Sequence, residues 1–324
     1  MSVRPTIDEL LGRGVLLAPM AGVNDPIFRS LCARMGADLT YTEMVSAKGL
    51  SFGNQKSFDL LADETKQPVA AQLFGHEPDV LAKQACVLEE RFDGNLALID
   101  INMACPARKI VTKGDGAALL REPLLADTIM RAVVSAVDLP VTVKFRKGYE
   151  LDEDIAVEFA RRAQQCGMAA LAIHGRTAQQ FYHGSADREL IGRVVAAVEI
   201  PVIASGDVFT RDDIRFYREE QGARAVMVAR GAQGNPWIFS AGSTLSTGKN
   251  PSDGVPDLGE RVRIAREHTR GLATCYPRRL ASMRKHTAWY FRGTPQAGAL
   301  RRAVQTCVSL ADYEALFSWI LDEC

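Results

Sequence analysis

Eight short apolar segments recur along the first 230 residues, and most are followed by a stretch with the periodicity of an amphipathic helix. Several are apolar at consecutive positions, which is typical of parallel strands covered on both faces. Eight strand–helix units of this combined length predict a closed (β/α)8 TIM barrel, an α/β fold of about 250 residues. The predicted strands span residues 15–19, 39–43, 69–74, 96–102, 141–146, 169–174, 202–206 and 225–229.

An open, doubly wound sheet is the alternative arrangement of such units. No G-x-G-x-x-G motif follows the first predicted strand, so the sequence favours the barrel. The helices predicted between strands span residues 25–35, 78–90, 124–137, 154–166, 187–198 and 211–221.

The composition changes after the eighth unit. We predict that residues 1–241 form the barrel, that residues 242–257, rich in Gly, Ser, Thr and Pro, form a linker, and that residues 258–324 form a C-terminal all-helical domain. Helical periodicity in this last region covers residues 258–276, 280–291 and 296–324. Between Arg261 and Arg302 there are eleven Lys or Arg residues and one acid, although the whole chain has 39 of each sign. This excess favours a polyanionic partner over a merely solvated helical face.

The seven cysteines are dispersed and include no C-x-x-C pair, so we expect neither a metal site nor a disulfide framework. Such usage fits a reducing cytoplasm. No apolar stretch reaches ~18 residues and the N-terminus does not resemble a signal peptide, which predicts a protein without a membrane segment. The sequence contains no feature that points to an obligate protein partner.

Polar residues and glycines cluster where the predicted strands end. In a TIM barrel these ends meet on one face, where active sites are built. Lys144 ends an apolar strand, so its ammonium group needs an anionic or acceptor partner. Gln72 offers a donor and an acceptor, matching the mixed pyrimidine edge of a flavin. Gly206 and Gly231 follow the seventh and eighth strands, the usual phosphate site of the fold, and without a P-loop they favour FMN over ATP.

Cys105 follows the fourth strand in the motif Asn102-Met-Ala-Cys-Pro106, where Pro106 prevents the strand from continuing. The residue types leave this thiol three roles: nucleophile, acid or bystander. We favour an acid, because no base dedicated to forming a thiolate is evident and a flavin is expected. An ordinary thiol, with a pKa of about 8.5, is mostly protonated at neutral pH.

Short motifs spread over nearly the whole chain point to a known family. They are Ala18-Pro-Met-Ala-Gly22, Glu43-Met-Val-Ser-Ala47, Gln72-Leu-Phe-Gly75, Asp100-Ile-Asn-Met-Ala-Cys-Pro106, Val143-Lys-Phe-Arg146, His174-Gly-Arg-Thr177, Gly231-Ala-Gln-Gly-Asn-Pro-Trp-Ile-Phe239, Met283-Arg-Lys-His286 and Trp289-Tyr290. Together they resemble the tRNA-dihydrouridine synthase family, most of all its bacterial B-type branch. The Asn-x-x-Cys-Pro motif followed by Gly114-x-Gly116 is the specific part, since phosphate loops alone fit many FMN barrels.

The resemblance implies reduction of specific uridines in tRNA to 5,6-dihydrouridine, with bound FMN as the carrier and NADPH as the electron donor. Hydride from flavin N5 would reach C6 of the uracil, while Cys105 would protonate C5 from the opposite side. Asn102 and Arg176 would hold the uracil, and His174 would lie beside the flavin. The other FMN-binding residues would be Pro19, Met20, Ala21, Gln72, Lys144, Ser205, Gly206, Asp207, Ala229 and Arg230. The helical domain would contact tRNA phosphates through Arg261, Arg263, Arg266, Arg270, Arg278, Arg279, Arg284, Lys285 and Arg292.

Ala104, Ser205 and Ala229 stand where the family pattern has Gly, Asn and Gly. Backbone contacts at the last two leave FMN binding intact, whereas the Ala104 methyl would narrow or re-aim the cysteine loop. Two other functions fit part of the sequence. A small-molecule FMN oxidoreductase of the dihydroorotate dehydrogenase kind leaves the basic helical domain unexplained. A non-catalytic RNA-binding barrel leaves the polar strand ends unexplained.

Overall fold

Nine parallel strands form the centre of the fold, and nearly every residue in them is buried. The computed structural model describes residues 5–61, 68–92, 94–240 and 256–322. The strands are β1 (Val15–Leu17), β2 (Leu39–Tyr41), β3 (Val45–Ser46), β4 (Val69–Phe74), β5 (Leu96–Met103), β6 (Val141–Arg146), β7 (Ala170–His174), β8 (Val202–Ser205) and β9 (Ala225–Val228).

Eight of these strands close into a barrel. Strand β1 pairs with both β2 and β9, and β2 pairs with β4, so the sheet has no open edge at this point. Strand β3 is a two-residue addition along the end of β4, too short to show in a hydrophobic pattern. All eight predicted strands are present, and the prediction of a TIM barrel is confirmed.

The helices lie outside the barrel and in the C-terminal segment. They are α1 (Ile7–Leu11), α2 (Pro26–Arg34), α3 (Ala47–Ser51), α4 (Gln55–Asp59), α5 (Pro78–Arg91), α6 (Arg108–Val111), α7 (Pro123–Ala136), α8 (Ala156–Gln165), α9 (Leu190–Val195), α10 (Arg211–Arg215), α11 (Leu258–Cys275), α12 (Met283–Tyr290), α13 (Ala297–Ala303) and α14 (Leu310–Asp322). None of these described helices combines the length and apolarity that a membrane span requires.

The last predicted helix, residues 296–324, is wrong as a single element. It divides into α13 and α14, because Ser309 and Asp312 form a reciprocal cap that begins a new helix. The Ser309 side chain accepts the Asp312 N–H at 3.2 Å, and the Asp312 carboxylate accepts the Ser309 N–H at 2.8 Å. The Ser-x-x-Asp spacing that makes such a cap is present in the sequence.

Inside the barrel, an apolar layer lies below a polar one. Small and aliphatic side chains fill the lower interior, among them Ala70, Leu98 and Ala170. Two residues further along β4 and β5, the inward positions become polar, at Gln72 and Asp100. The polar positions therefore lie towards the carboxyl ends of the strands, where active sites of this fold are built.

The helical segment packs directly on the barrel. Its apolar core, which includes Val262, Leu272 and Phe317, also contains Leu31 of α2 and Trp237 after β9. Its first described helix, α11, begins at Leu258. The predicted linker, residues 242–257, lies outside the described residues except for its last two.

A buried carboxylate joins the barrel to the helical segment. Asp25 caps α2 by accepting the Phe28 N–H at 2.9 Å, and it also lies 3.0 Å from Nε2 of His268 and 3.4 Å from Nε2 of His286. Burial alone would raise the pKa of Asp25, but the nearby His268 and His286 hold it below its usual range. Burial, together with the neighbouring His268, lowers the pKa of His286 to about 3.

We expect His286 to lower the free energy of unfolding as the pH is lowered from 7 to 5. The pKa of His286 in the folded chain is about 3, below the ordinary value of about 6.5 for an unfolded histidine. Between these values the unfolded chain binds a proton that the folded chain does not, so stability decreases by up to about 1.4 kcal/mol per pH unit. Urea unfolding at several pH values should give a shallower pH dependence for His286→Gln. His183→Gln, a change at an exposed ring, should keep the wild-type dependence; identical curves for the two variants would contradict the expectation.

Candidate active site

A cavity of about 390 Å³ lies over the carboxyl ends of the barrel strands. Of the fourteen residues predicted to act on or hold small ligands, all but Arg176 line it. They are Pro19, Met20, Ala21, Gln72, Asn102, Cys105, Lys144, His174, Ser205, Gly206, Asp207, Ala229 and Arg230. Closure of the barrel therefore brings together residues from nearly every strand end, while their individual roles stay predictions.

The loop that carries Cys105 is organised by Asn102 and Gly116. Asn102 Oδ1 accepts the backbone N–H groups of Ala104 and Cys105, at 3.1 and 2.9 Å. The Cys105 carbonyl accepts the Ala117 N–H at 3.0 Å. Gly116 has a φ of +61°, and a Cβ there would lie 2.8 Å from the Cys105 carbonyl oxygen. This packing explains the second glycine of the Gly114-x-Gly116 part of the motif, because a side chain at Gly116 would push the cysteine loop away.

Ala104 fits the loop without strain. Among the described residues, the non-glycine positions with positive φ are Phe181 and Asp207, so Ala104 needs no left-handed backbone. Its carbonyl accepts Nε of Arg146 at 2.8 Å, and the residue lines the cavity beside Cys105. An alanine at this position therefore leaves the loop conformation in place.

Positive charge dominates one side of the cavity. Lys144, Arg146 and Arg230 line it, and the one carboxylate among its lining residues, Asp207, is bound to arginines. Burial, with a contribution from Arg146, lowers the pKa of Lys144 to about 8. Burial and the surrounding cations hold the pKa of His174 well below its usual value, so its ring is neutral at pH 7. The site is therefore suited to an anionic ligand.

The loops after β8 and β9, where the sequence predicts a phosphate site, form one end of the cavity. Gly206 has a φ of +120°, and a Cβ there would lie 2.8 Å from the His174 ring, so only glycine fits. Its carbonyl accepts the Tyr217 hydroxyl at 2.8 Å, which fixes the loop. A Cβ on Gly231 would lie 2.2 Å from the Val208 carbonyl oxygen, which brings the two loops into close contact. Backbone groups rather than side chains therefore shape this end.

Arg176 is the one residue of the predicted set that the structure does not bring to the cavity wall. It is 2% exposed, and its guanidinium donates to both oxygens of Asp207, at 2.8 and 2.6 Å. The carbonyls of His183 and Gly184 accept its other N–H groups. With these bonds Arg176 holds Asp207 and the following loop in position, and the uracil contact implied by the resemblance would require some of them to break.

The cavity also contains residues that sequence reasoning did not select. Arg146 lies two positions after Lys144 on the same face of β6, a spacing that could have identified it. Phe181, Tyr182 and Phe209 lie at the exposed rim, and Arg230 stacks over the rings of Tyr182 and Phe209, at 4.8 and 5.3 Å. These aromatic residues come from loops, where no periodic pattern marks them.

Six of the nine basic residues predicted to contact tRNA have partners within the chain. Carboxylates bind four of them (Arg263 with Glu260, Arg266 and Arg270 with Glu314, Arg279 with Glu43), and backbone carbonyls accept from Arg261 and Arg284. Among the described residues no carboxylate pairs with Arg278, Lys285 or Arg292. Lys285 lies beside the loop after β1, since a Cβ on Gly22 would be 3.1 Å from its Nζ. It therefore joins the basic surface to the mouth of the cavity.

Comparison with known proteins gives matches over nearly the whole chain. A family model described as "Dihydrouridine synthase (Dus)" matches residues 16–322. The relative named tRNA-dihydrouridine synthase B in Xanthomonas axonopodis is 40% identical over 294 residues, which cover 90% of this chain and 87% of that protein. The proteins of the same name in Pseudomonas aeruginosa and Vibrio parahaemolyticus are 39% and 38% identical, and each match covers at least 86% of both chains.

A solved structure shows the same fold at low sequence identity. Histamine dehydrogenase from Rhizobium sp. 4-9 superimposes with a TM-score of 0.52 and 10% identity, over 79% of this chain and 48% of that one. This similarity concerns the barrel fold alone.

Gly116→Ala should displace the Cys105 loop, whereas Gly114→Ala should not. Both glycines have positive φ, so each substitution introduces backbone strain of about 1 kcal/mol. Only at Gly116 does the new methyl collide with the loop; at Gly114 the nearest neighbour is His76, at 3.7 Å. The rate of Cys105 alkylation, measured by mass spectrometry of its peptide, should change in Gly116→Ala alone. Equal rates in the two variants would mean that Gly116 does not hold the loop.

Proposed function

The chain belongs to the dihydrouridine synthase family, and we propose that it reduces uridines in tRNA to 5,6-dihydrouridine. One observation carries the proposal: Cys105 shares a cavity with Gln72, Lys144 and His174, next to a cradle suited to an anion. The cavity thus contains a proton donor together with groups that suit a reducible base and an anionic cofactor. A non-catalytic RNA-binding barrel would not require this combination.

FMN is the cofactor that these residues fit. Its phosphate suits the loops at Gly206 and Ala229, where glycines admit backbone N–H groups and Arg230 supplies charge. Its ring system suits Gln72 and Lys144, with Pro19, Met20 and Ala21 as apolar wall. When bound and reduced by NADPH, the proposed electron donor, FMN supplies hydride for C6 of the uracil.

Cys105 acts in this proposal as the proton donor. The thiol gives its proton to C5 of the uracil, so that C5 and C6 each gain one hydrogen, and solvent later reprotonates the sulfur. Asn102 holds the cysteine loop through two backbone N–H groups, which keeps the thiol aimed at the cavity. Lys144, on the neighbouring strand β6, provides positive charge in the same cavity, and the neutral His174 does not compete as an acid.

The helical segment would bind tRNA. A stacked uridine must leave the RNA fold to enter the cavity, and phosphate contacts set the register in which it does so. Arg278 and Arg292 are exposed, and Lys285 lies at the cavity mouth, so these three are the members of the predicted set best placed for phosphate. Carboxylate partners already neutralise Arg263, Arg266, Arg270 and Arg279 in part.

Cys105→Ala should retain bound flavin and lose most dihydrouridine formation. The methyl group keeps the packing of the loop and removes the dissociable proton, so NADPH should still bleach the flavin absorbance. Mass spectrometry of tRNA incubated with each protein should show a two-dalton gain on uridine with the wild type only. Cys86→Ala, a change at a cysteine remote from the cavity lining, is the matched control and should leave the product unchanged. Wild-type product from Cys105→Ala would remove the acid role.

Charge reversal at Arg278 and Arg292 should weaken tRNA binding and make it less sensitive to salt. Loss of about two phosphate contacts lowers the slope of log K against log salt concentration by about 1.5 to 2. The control pair Lys83→Glu and Arg161→Glu makes the same change in net charge on outer helices of the barrel and should leave the slope in place. Reduction of the flavin by NADPH should be equal in all three proteins. An unchanged slope in the first pair would move the tRNA surface elsewhere.

A further inference from the structure

We propose that Asp100 is a positioning residue that fixes the direction in which the amides of Gln72 and Asn102 point. It is the last acceptor of a hydrogen-bond chain that starts at the Cys105 loop. As a result both amides turn only N–H groups towards the cavity. The proposal deepens the function proposed above, because it concerns the same site and names what that site recognises.

The chain can be followed from the cysteine loop. Two backbone N–H groups point at one atom of the Asn102 side chain, so this atom must be the oxygen Oδ1. The nitrogen Nδ2 then faces Gln72 and donates to Oε1 at 2.7 Å. With its oxygen used in this way, Gln72 turns its nitrogen Nε2 to Asp100.

The same orientation follows from the other end. Gln72 Nε2 donates to Oδ2 of Asp100 at 2.6 Å, and Thr142 Oγ1 donates to Oδ1 at 2.6 Å. A carboxylate only accepts, so the reversed Gln72 amide would set an oxygen against it. Asp100 has no exposed surface, and Gln72 is 1% exposed, so water cannot replace a lost partner. The two ends therefore require one direction for the whole chain.

Strand pairing places these groups side by side. Gln72 on β4 lies opposite Asp100 on β5, and Asp100 lies opposite Thr142 on β6. Asn102, two residues further on β5, faces the same side and lies at the cavity wall. Burial raises the pKa of Asp100 to about 6, although hydrogen bonds from Gln72 and Thr142 lower it in part. The hydrogen bonds that Asp100 accepts from Gln72 and Thr142 account for the presence of a carboxyl group in this buried position.

The fixed direction has a consequence for recognition. After its bonds within the chain, Gln72 keeps one N–H for the flavin edge proposed above, and Asn102 keeps one N–H that has a long contact of 4.0 Å with Met44 Sδ; both residues line the cavity. Donors of this kind suit carbonyl oxygens and meet an amino group unfavourably. Uracil has a carbonyl at C4, where cytosine has an amino group. Asp100 would thus help to select a carbonyl-bearing pyrimidine, although it does not itself touch the cavity.

The test is a charge exchange between Asp100 and Gln72. Gln72→Glu alone sets two carboxyl groups against each other; they repel when both are ionised, so this variant should break the chain at high pH, about pH 9. Gln72→Glu with Asp100→Asn restores it, because the new amide donates to Glu and Glu still accepts from Asn102. Thr142→Val is the matched control, since it removes the other bond to the same carboxylate and leaves the chain intact.

Two measurements separate the outcomes. At about pH 9, the alkylation rate of Cys105 in the purified protein should change about fivefold or more in the single variant and return to within about twofold in the double variant and in Thr142→Val. With tRNA, the double variant should regain dihydrouridine formation but bind FMN more weakly than the wild type, because position 72 no longer donates to the flavin ring. Alkylation does not depend on turnover, so it tests the chain even if no dihydrouridine forms. A double variant no closer to wild type than the single variant would overturn the proposal.

Discussion

The pairing of β1 with β9 and of β2 with β4 closes the barrel, and the candidate site depends on this closure. Gln72, Cys105, Lys144 and Arg230 come from parts of the chain far apart in sequence, and no local element holds them together. In a barrel of parallel strands, the carboxyl ends of all strands lie on one rim, independently of the side chains that the strands carry. The lower barrel can therefore be filled by small apolar residues for stability, while the rim carries polar groups for chemistry.

The helical segment is joined to the same rim by directional contacts as well as by apolar packing. Asp25 follows, in the sequence, the residues of the loop after β1 that line the cavity. Its carboxylate binds His268 of α11 and lies against His286 of α12. Glu43 accepts the Gly22 N–H from the barrel and pairs with Arg279 from the helical segment. Buried or partly buried charges of this kind tolerate few relative positions, because moving one leaves the other unpaired. A polyanion bound to the basic surface would therefore lie at a set distance from the cavity.

Much of this architecture could be predicted from sequence, because burial on both faces leaves a continuous apolar pattern in each strand. The residues that end the predicted strands then identify the cavity, because active sites of TIM barrels are built at the carboxyl ends of the strands. The environments of individual side chains could not be predicted. Arg176 and Arg279 read as free cations in the sequence, yet each has a carboxylate partner brought near only by folding. Asp100 did leave a signal, since a carboxylate inside an apolar strand needs buried partners, but their identity depends on strand register.

The polar layer at the rim reduces the stability of the fold that supports it. Burial makes the charged forms of both Asp100 and Lys144 unfavourable, moving their pKa values to about 6 and about 8. For Asp100 the folded pKa lies above the ordinary value, so its contribution to stability is lost as pH rises through about 6. Apolar residues of similar size would stabilise the barrel more. A ligand that accepts hydrogen bonds or carries negative charge would offset part of this cost on binding, which links occupancy of the cavity to stability of the fold.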